Sequence, residues 1–300
     1  MLAKKTNSMQ ENPLVSIIMT CYNGQSTIHE AIASIYNQTY KNWELIFIDD
    51  GSTDQSFNIV NEINDERVRC FSLKKNEGRG VSYQRGINES IGEFIMFLDC
   101  DDWWYSEKVQ VQVDHILNND EISFLGSGLI TVKNSKPIGV RCNKGFSNLL
   151  IKDLSDPPIA FATICMKKNL KYKYSFDENM NVAQDIDFLQ SLCMNEFFSN
   201  IDEVLYVYNE GNSFYWNKFK IAWENRKIGL RKYKKKFLMQ YYFQITKVNF
   251  KILFYFLLFF FRLQDLLLIY RVKSASNDEI QKYLLEKDSL CKKKLEVFNL

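Results

Sequence analysis

Three carboxylates fall within four positions at Asp99, Asp101 and Asp102, with Cys100 among them and Trp103 and Trp104 directly after. An apolar run, "EFIMFL", leads the chain into them. Carboxylates this close repel and resist ionising unless something positive sits among them. Oxygen-only donors suit a hard divalent cation, Mg2+ or Mn2+. His29 and His115 are the only histidines and neither lies near an acidic cluster, which disfavours zinc. Mg2+ usually takes one or two protein carboxylates and completes its shell with substrate phosphates, so the cluster points to a phosphate-bearing substrate. Two more acidic stretches stand out: "IDDGSTD", which carries Asp50, and "VAQDIDFLQSL", which carries Asp185 and Asp187. Turn chemistry alone accounts for the first, and the helix dipole accounts for one carboxylate of the second. Neither accounts for three aspartates followed by two tryptophans.

These residues need a frame, and the first hundred positions supply one. "LVSIIM" (14–19), "ELIFI" (44–48), "RVRCFSL" and "EFIMFL" read as strands, and helical periodicities fall between them. The first helix carries Ile28, Ala31, Ile32, Ile35 and Tyr36 on one face, with Thr27 and Glu30 spaced as a capping box. The second spans about 54–63, with Ser52 and Thr53 available to cap it, and the third follows "NEGRG". Continuous apolar strands alternating with amphipathic helices predict a mainly parallel sheet covered on both faces, with ligands bound beyond the carboxyl ends of its strands. "TCYNG", "IDDGSTD" and "FLDCDDWW" all sit at that edge. The middle, about 122–213, mixes possible strands ("ISFLGSGLITV", "IAFATICM", "EVLYVY") with loops, and a helix opens near Asp185 with Phe188, Leu189 and Leu192 inward.

The chain of 300 residues is 46% hydrophobic and 25% charged, with a formal net charge of +2, so it has room for a large core and no bulk attraction to nucleic acid. Its seven cysteines are scattered without a C-x-x-C pair, which fits a reducing compartment. The N-terminus is polar and lacks the apolar segment of a secretory signal. No G-x-x-x-x-G-K-[ST] and no G-x-G-x-x-G after the first strand is present, which argues against a P-loop or a dinucleotide site. Beyond 213 the character changes. "NRKIGLRKYKKK" (225–236) carries seven Lys/Arg, and "ILFYFLLFFF" (252–261) is wholly apolar but shorter than the roughly 20 residues needed to span a bilayer. A basic stretch beside an apolar helix is the two-signal pattern of peripheral attachment to an anionic membrane surface; a buried helix is the alternative.

"VSIIMTCYN", "ELIFIDDGSTD", "GEFIMFLDCDD" and "FDENMNVAQDIDFLQSL", in this order and spacing, resemble the family 2 glycosyltransferases of the GT-A fold. The resemblance covers residues 14–190; the rest of the chain resembles the family only loosely. It implies a Rossmann-like sheet with flanking helices and a helical C-terminal extension. The catalytic domain would occupy 1–213, with a nucleotide half about 14–104 and an acceptor half about 105–213, and 214–300 would associate with membrane. It implies a nucleotide-sugar donor, usually UDP-linked, and transfer with inversion. The nucleotide pocket maps onto Thr20, Tyr22, Asn23 and Asp50, with Arg79 and Cys100 nearby. The D-x-D element maps onto Asp99 and Asp101, Asp101 as the metal ligand and Asp99 as a contact to ribose or to metal-bound water. Asp102 braces the loop. The base maps to Asp185. Trp103, Trp104 and Gln184 are candidates for the acceptor, although core packing accounts equally well for a tryptophan.

Three departures qualify this pattern. The family's "ARN" element reads "RGVSYQRG" here, the Glu of its Glu-Asp pair is Gln184, and no histidine follows His115 to serve as a further metal ligand. The expected protein is a cytoplasmic enzyme, peripheral on the inner face of the cell membrane. It acts on a saccharide or lipid-linked saccharide in surface polysaccharide or glycolipid synthesis. A metal-dependent nucleotidyltransferase and a degenerate sugar-binding or scaffold protein remain as alternatives. No motif sets the sugar, the acceptor linkage or an oligomeric state.

Overall fold

The computed structural model describes residues 12–298 apart from 143, 178–179, 181, 212–215, 264–265 and 267–270. The polar N-terminal stretch 1–11 and most of the continuation of the Phe-rich run toward Tyr270 therefore lie outside the described residues.

Four parallel strands form one half of the sheet: β1 (Val15–Cys21), β2 (Trp43–Asp49), β3 (Val68–Ser72) and β4 (Phe94–Asp99). β1, β2 and the apolar part of β4 are buried on both faces, as their uninterrupted apolar sequences require. Helices α1 (Ile28–Tyr36), α2 (Ser56–Asn61) and α3 (Arg79–Glu89) connect them. Thr27 precedes α1 as expected, but its hydroxyl donates back to Gly24 O at 3.2 Å and the capping box is not made. α2 begins later than Ser52 and Thr53 would set it, because the Asp54 carboxylate accepts from the Ser56 N–H at 2.9 Å.

The second half adds β5 (Trp103–Trp104), α4 (Lys108–Leu117), β6 (Phe124–Lys133), β7 (Lys136–Arg141), β8 (Phe146–Leu149), β9 (Cys165–Lys167), α5 (Gln184–Asn195) and β10 (Phe198–Asn209). The main strand order is β3-β2-β1-β4-β9-β6-β10-β5, with β7 beside β6 and β8 beside β10. β9 runs antiparallel between β4 and β6 and joins the two halves into one sheet. The sheet is thus mixed α/β and mainly parallel through its nucleotide half, as the alternating pattern predicts.

The C-terminal part divides. α6 (Trp216–Arg231) and α7 (Leu238–Phe260) form a hairpin zipped by aromatic pairs such as Phe219–Tyr255, with ring centroids 5.4 Å apart. α8 (Asn277–Phe298) instead returns to the catalytic body: Lys287 pairs with Glu30 at 2.6 Å and Tyr283 is buried against Trp103. The expected membrane region 214–300 is therefore corrected at its end, because α8 is a covering helix of the core. The basic stretch is also not all solvent-facing: Arg226 is 3% exposed, and Lys232 bridges Asp177 and Asp187. All but the last residue of the run 252–261 falls in the C-terminal part of the 23-residue α7, which is long and apolar enough to cross a bilayer by length and composition. That length was hidden because Lys247 and Lys251 interrupt the apolar pattern; both turn toward Asp156.

Candidate active site

The carboxyl ends of β1, β2 and β4 meet at one edge of the sheet, and their register sets Thr20 beside both Ile48 and Asp99. A cleft of about 390 Å3 opens there, lined by Thr20, Tyr22, Asn23, Asp50, Arg79, Asp99, Cys100 and Asp101 among others. All the expected nucleotide-side residues therefore converge. The Tyr22 ring is about half exposed and available for stacking. Asp50 is buried, and its two oxygens accept the N–H groups of Glu77 (2.8 Å) and Gly78 (3.1 Å). Burial raises its pKa and those N–H groups hold it partly back. The turn that follows it needs a glycine: Gly51 has φ +72°, and a Cβ there would lie 2.4 Å from the Lys75 carbonyl carbon. Asn23, which lines the cleft, also has a structural role. Its side-chain oxygen accepts from the Thr53 N–H at 2.8 Å and ties the β1 loop to the β2 loop.

The acidic cluster is real but its members differ. Carboxylate oxygens of Asp99, Asp101 and Asp102 lie within 4.8 Å of one another. Asp102 is buried and accepts from the Tyr206 hydroxyl (2.7 Å) and the Asn209 N–H (2.8 Å), bracing the loop against β10. Burial, then the charges of Asp101 and Asp99, push its carboxyl well above the usual range. Asp99 accepts from the Tyr83 hydroxyl at 2.5 Å and faces the Arg79 guanidinium at 3.6 Å. Asp101 is exposed into the cleft. Cys100 packs its thiol against Cys21, both sulfurs closing on Gly24, so it offers the cluster no sulfur. One solvent-exposed carboxylate backed by a second, beside a cleft with room for phosphate, fits Mg2+ or Mn2+ and their oxygen preference.

A second cavity, about 370 Å3, adjoins the first, and Arg79 and Asp99 line both. It also holds Asp185, Tyr83, Arg141, Arg226, Arg271 and Trp223. Asp185 stands in the first turn of α5, where Ala183 takes a left-handed φ of +63° and swings the chain into the cavity. Burial raises the Asp185 pKa, and the Arg79 charge pulls it partly back.

Three acceptor-side expectations are corrected. Trp103 and Trp104 are each 1% exposed, because β5 pairs antiparallel with β10 and turns both rings into core. Neither can stack on a sugar. Gln184 is 3% exposed and packs behind the cavity on Gly80 of α3, where an added Cβ would lie 3.3 Å from its Cγ. Sequence reasoning also missed residues. Tyr83 was within reach, since it lies four positions after Arg79 and so shares its helix face. Arg141 and Arg226 carry no local signal, and Arg226 was counted among solvent-facing charges.

Comparisons with known proteins agree with this fold. The family Glycosyl transferase family 2 matches residues 16–167. A protein of Haemophilus influenzae described as an uncharacterized glycosyltransferase is 32% identical over 225 residues, covering 69% of this chain and 70% of that one. The UDP-Glc:alpha-D-GlcNAc-diphosphoundecaprenol beta-1,3-glucosyltransferase WfgD of Escherichia coli is 34% identical over 165 residues, covering 54% of this chain and 64% of WfgD. Another H. influenzae glycosyltransferase is matched over only 44% of its length. Among solved structures, Staphylococcus aureus TarS (1–349) in complex with UDP superposes with a TM-score of 0.56 at 21% identity, over 72% of this chain and 65% of that one. The mannosyltransferase PcManGT of Pyrobaculum calidifontis, in complex with GDP-Man and Mn2+, gives 0.56 at 15% identity over 75% and 65%. With a matching family profile over half its length and a relative covered across more than two thirds, the chain belongs to glycosyl transferase family 2.

Proposed function

We propose that this glycosyltransferase moves a sugar from a UDP-linked donor to a hydroxyl of a lipid-linked saccharide, with inversion, in surface polysaccharide synthesis. One observation carries the reading: Arg79 and Asp99 line both cavities, so the reacting end of a donor in the first cleft meets an acceptor in the second, beside Asp185. The names of WfgD, for the acceptor, and of the TarS–UDP complex, for the donor, support it. Family membership sets aside the nucleotidyltransferase and scaffold alternatives.

The residues divide the work. Thr20, Tyr22 and Asp50 hold the nucleoside, the Tyr22 ring by stacking and the Asp50 carboxylate by accepting an imide N–H. Asp101, with Asp99 behind it, would hold Mg2+ or Mn2+. Such an ion, when bound, stabilises charge growing on the diphosphate leaving group. Arg79 adds fixed positive charge at the same point. Asp185 takes the proton of the acceptor hydroxyl as that oxygen attacks the anomeric carbon. The bond to the donor diphosphate breaks on the opposite face, so a single displacement inverts the centre.

The outward face of α7, with Phe243, Phe250, Phe254 and Leu257 exposed at helical spacing, lies on the cytoplasmic surface of the membrane. The first turns of α7 dock on the catalytic body through Tyr241, Gln244 and Val248, which favours α7 lying along the bilayer. The experiment that tests the whole reading is a panel of nucleotide sugars with and without Mn2+, assayed for UDP release and for transfer to a lipid-linked sugar. Failure to release UDP from every nucleotide sugar in the panel would overturn it.

A further inference from the structure

The second cavity holds more positive charge than base catalysis needs. Arg79 is answered by Asp99. Arg226, Arg141 and Arg271 stand on the far side. Arg226 is 3% exposed; one terminal nitrogen donates to Gln190 Oε1 (2.8 Å) and reaches Asp156 (3.3 Å), while the other, Nη1, is buried with no hydrogen-bond partner. A buried guanidinium N–H without an acceptor is costly, and a ligand oxygen in the cavity it lines would satisfy it. Asp156 cannot neutralise Arg226 alone, because it also serves Lys247 (2.9 Å) and Lys251 (3.8 Å).

Arg141 is held in place for a ligand. Its Nε donates to Thr131 Oγ1 at 3.1 Å and its guanidinium lies 4.7 Å from the Tyr208 ring centroid. Among the described residues it has no carboxylate within ion-pair distance. Burial lowers its pKa and the Arg271 charge lowers it further, with Tyr208 and Glu210 offsetting this in part. Two guanidinium groups that repel one another in a half-enclosed cavity are the arrangement that a bidentate oxyanion relieves. The same cavity is apolar elsewhere, with Leu129, Ile159 and Phe161, and it is walled by Trp223 of α6. Trp223 packs on Tyr255 and Lys251 of α7, the helix with the exposed apolar face.

We propose that Arg141, Arg226 and Arg271 form a diphosphate subsite, so that the acceptor is a sugar carried on a polyprenyl diphosphate whose chain leaves the cavity past Trp223 toward α7. This deepens the glycosyltransfer reading and rests on it. The sugar hydroxyl lies at Asp185, the phosphates accept from the three guanidinium groups, and the polyprenyl chain continues along apolar surface into the bilayer. A donor diphosphate is held in the other cleft by different residues, which makes the two sites separable.

The test uses the full chain and the variants Arg141→Gln and Arg271→Gln, because Arg226 is buried and its replacement risks misfolding. Calorimetry with geranylgeranyl diphosphate, free pyrophosphate and UDP is run on each. The expected result is a roughly 10- to 100-fold loss of geranylgeranyl diphosphate affinity in each variant, with UDP affinity unchanged. Transfer assays should show the same rise in KM for an alkyl-diphosphate-linked sugar and none for the matching neutral alkyl glycoside. Unchanged geranylgeranyl diphosphate affinity in both variants would overturn the subsite. So would a loss of UDP affinity, which would assign the arginines to the donor. Pyrophosphate binding as tightly as the prenyl compound would remove the lipid from the proposal. Throughout, UDP release from the nucleotide sugar reports on the underlying glycosyltransfer reading: if it persists while the subsite fails, only the subsite is wrong.

Discussion

The Tyr83 hydroxyl donates to Asp99 Oδ1 at 2.5 Å, from a side chain that is 1% exposed. Its ring stacks on Phe176 at 5.5 Å and meets Phe97 edge-on at 5.4 Å, so α3 delivers a fixed donor to the acidic cluster. Burial, then the Asp99 charge, raises the phenol pKa well above its ordinary value, so it stays a donor throughout the working pH range. Tyr83→Phe keeps the packing and removes only the bond that orients Asp99. Hydrogen bonds to charged groups are worth about 1.5–3 kcal/mol, so kcat/KM should fall roughly 10- to 100-fold. The melting temperature should move little, and a large drop would show that Tyr83 serves the fold rather than the site.

Asp101 and Asp102 are neighbours in sequence and should behave as opposites. Asp101 is exposed, so Asp101→Asn should leave the fold intact and abolish metal-dependent turnover. Asp102→Ala strips acceptors from the buried Tyr206 hydroxyl and the Asn209 N–H. Leaving buried donors unpaired costs about 1–3 kcal/mol each, so this variant should melt several degrees lower. Calorimetric melting and a metal titration of activity, run on both, would expose a reversed assignment.

The sequence carries the nucleotide half of the molecule well, because its information is local. Uninterrupted apolar runs fix β1, β2 and β4, and the loops at their ends must then share an edge. That alone brings Thr20, Asp50 and Asp101 together. The acceptor half depends on distant pairing. Trp103 and Trp104 look like surface rings after an acidic turn, and only the pairing of β5 with β10, a hundred residues later, buries them. α8 is amphipathic in sequence, but nothing local says that its apolar side covers α1 and Trp103. Arg141 and Arg226 come from a strand and a helix far apart in the chain, and no spacing rule links them.

Asp185→Asn should lose turnover by about 10²- to 10⁴-fold, the usual cost of removing a general base. UDP affinity should be unchanged, since Asp185 lines the second cavity and not the donor cleft. The wild-type rate should also fall on the acid side as the base is protonated. Because burial raises the Asp185 pKa, that fall should set in above the ordinary carboxylate value of 3.8. A pH profile of kcat/KM with no acid limb above that value would count against Asp185 as the base.

Lys108 is fully buried, with its ammonium group donating to Gln112 Oε1 at 2.5 Å and to Thr163 O at 2.9 Å, and burial lowers its pKa to about 7. In the unfolded chain it titrates near its ordinary value of 10.5. Between these pH values the unfolded state binds the extra proton, so stability rises with pH from about 7 upward and is lowest below it. The shift corresponds to a few kcal/mol, to order of magnitude. Lys108→Met should flatten the rise in melting temperature between pH 7 and pH 9; an unchanged slope would mean that other groups produce it.

On the side away from the catalytic body, α7 exposes Phe250 (68%), Phe254 (52%) and Leu257 (42%). Large apolar side chains gain up to about 1.5–3 kcal/mol each on full transfer from water, and partial insertion of three suffices for reversible attachment. The lysines Lys234, Lys235 and Lys236 lie in the turn before α7, and each adds about 1 kcal/mol against an anionic leaflet. The full-length protein should therefore float with anionic liposomes at low salt and detach as salt screens the lysines. Replacing Phe250, Phe254 and Leu257 together by Ser should abolish flotation at every salt concentration. The melting temperature should hold, because these side chains lie largely on the exposed surface of α7. A variant that still floats would place the contact elsewhere on the surface, and one that unfolds would make this face of α7 part of the core.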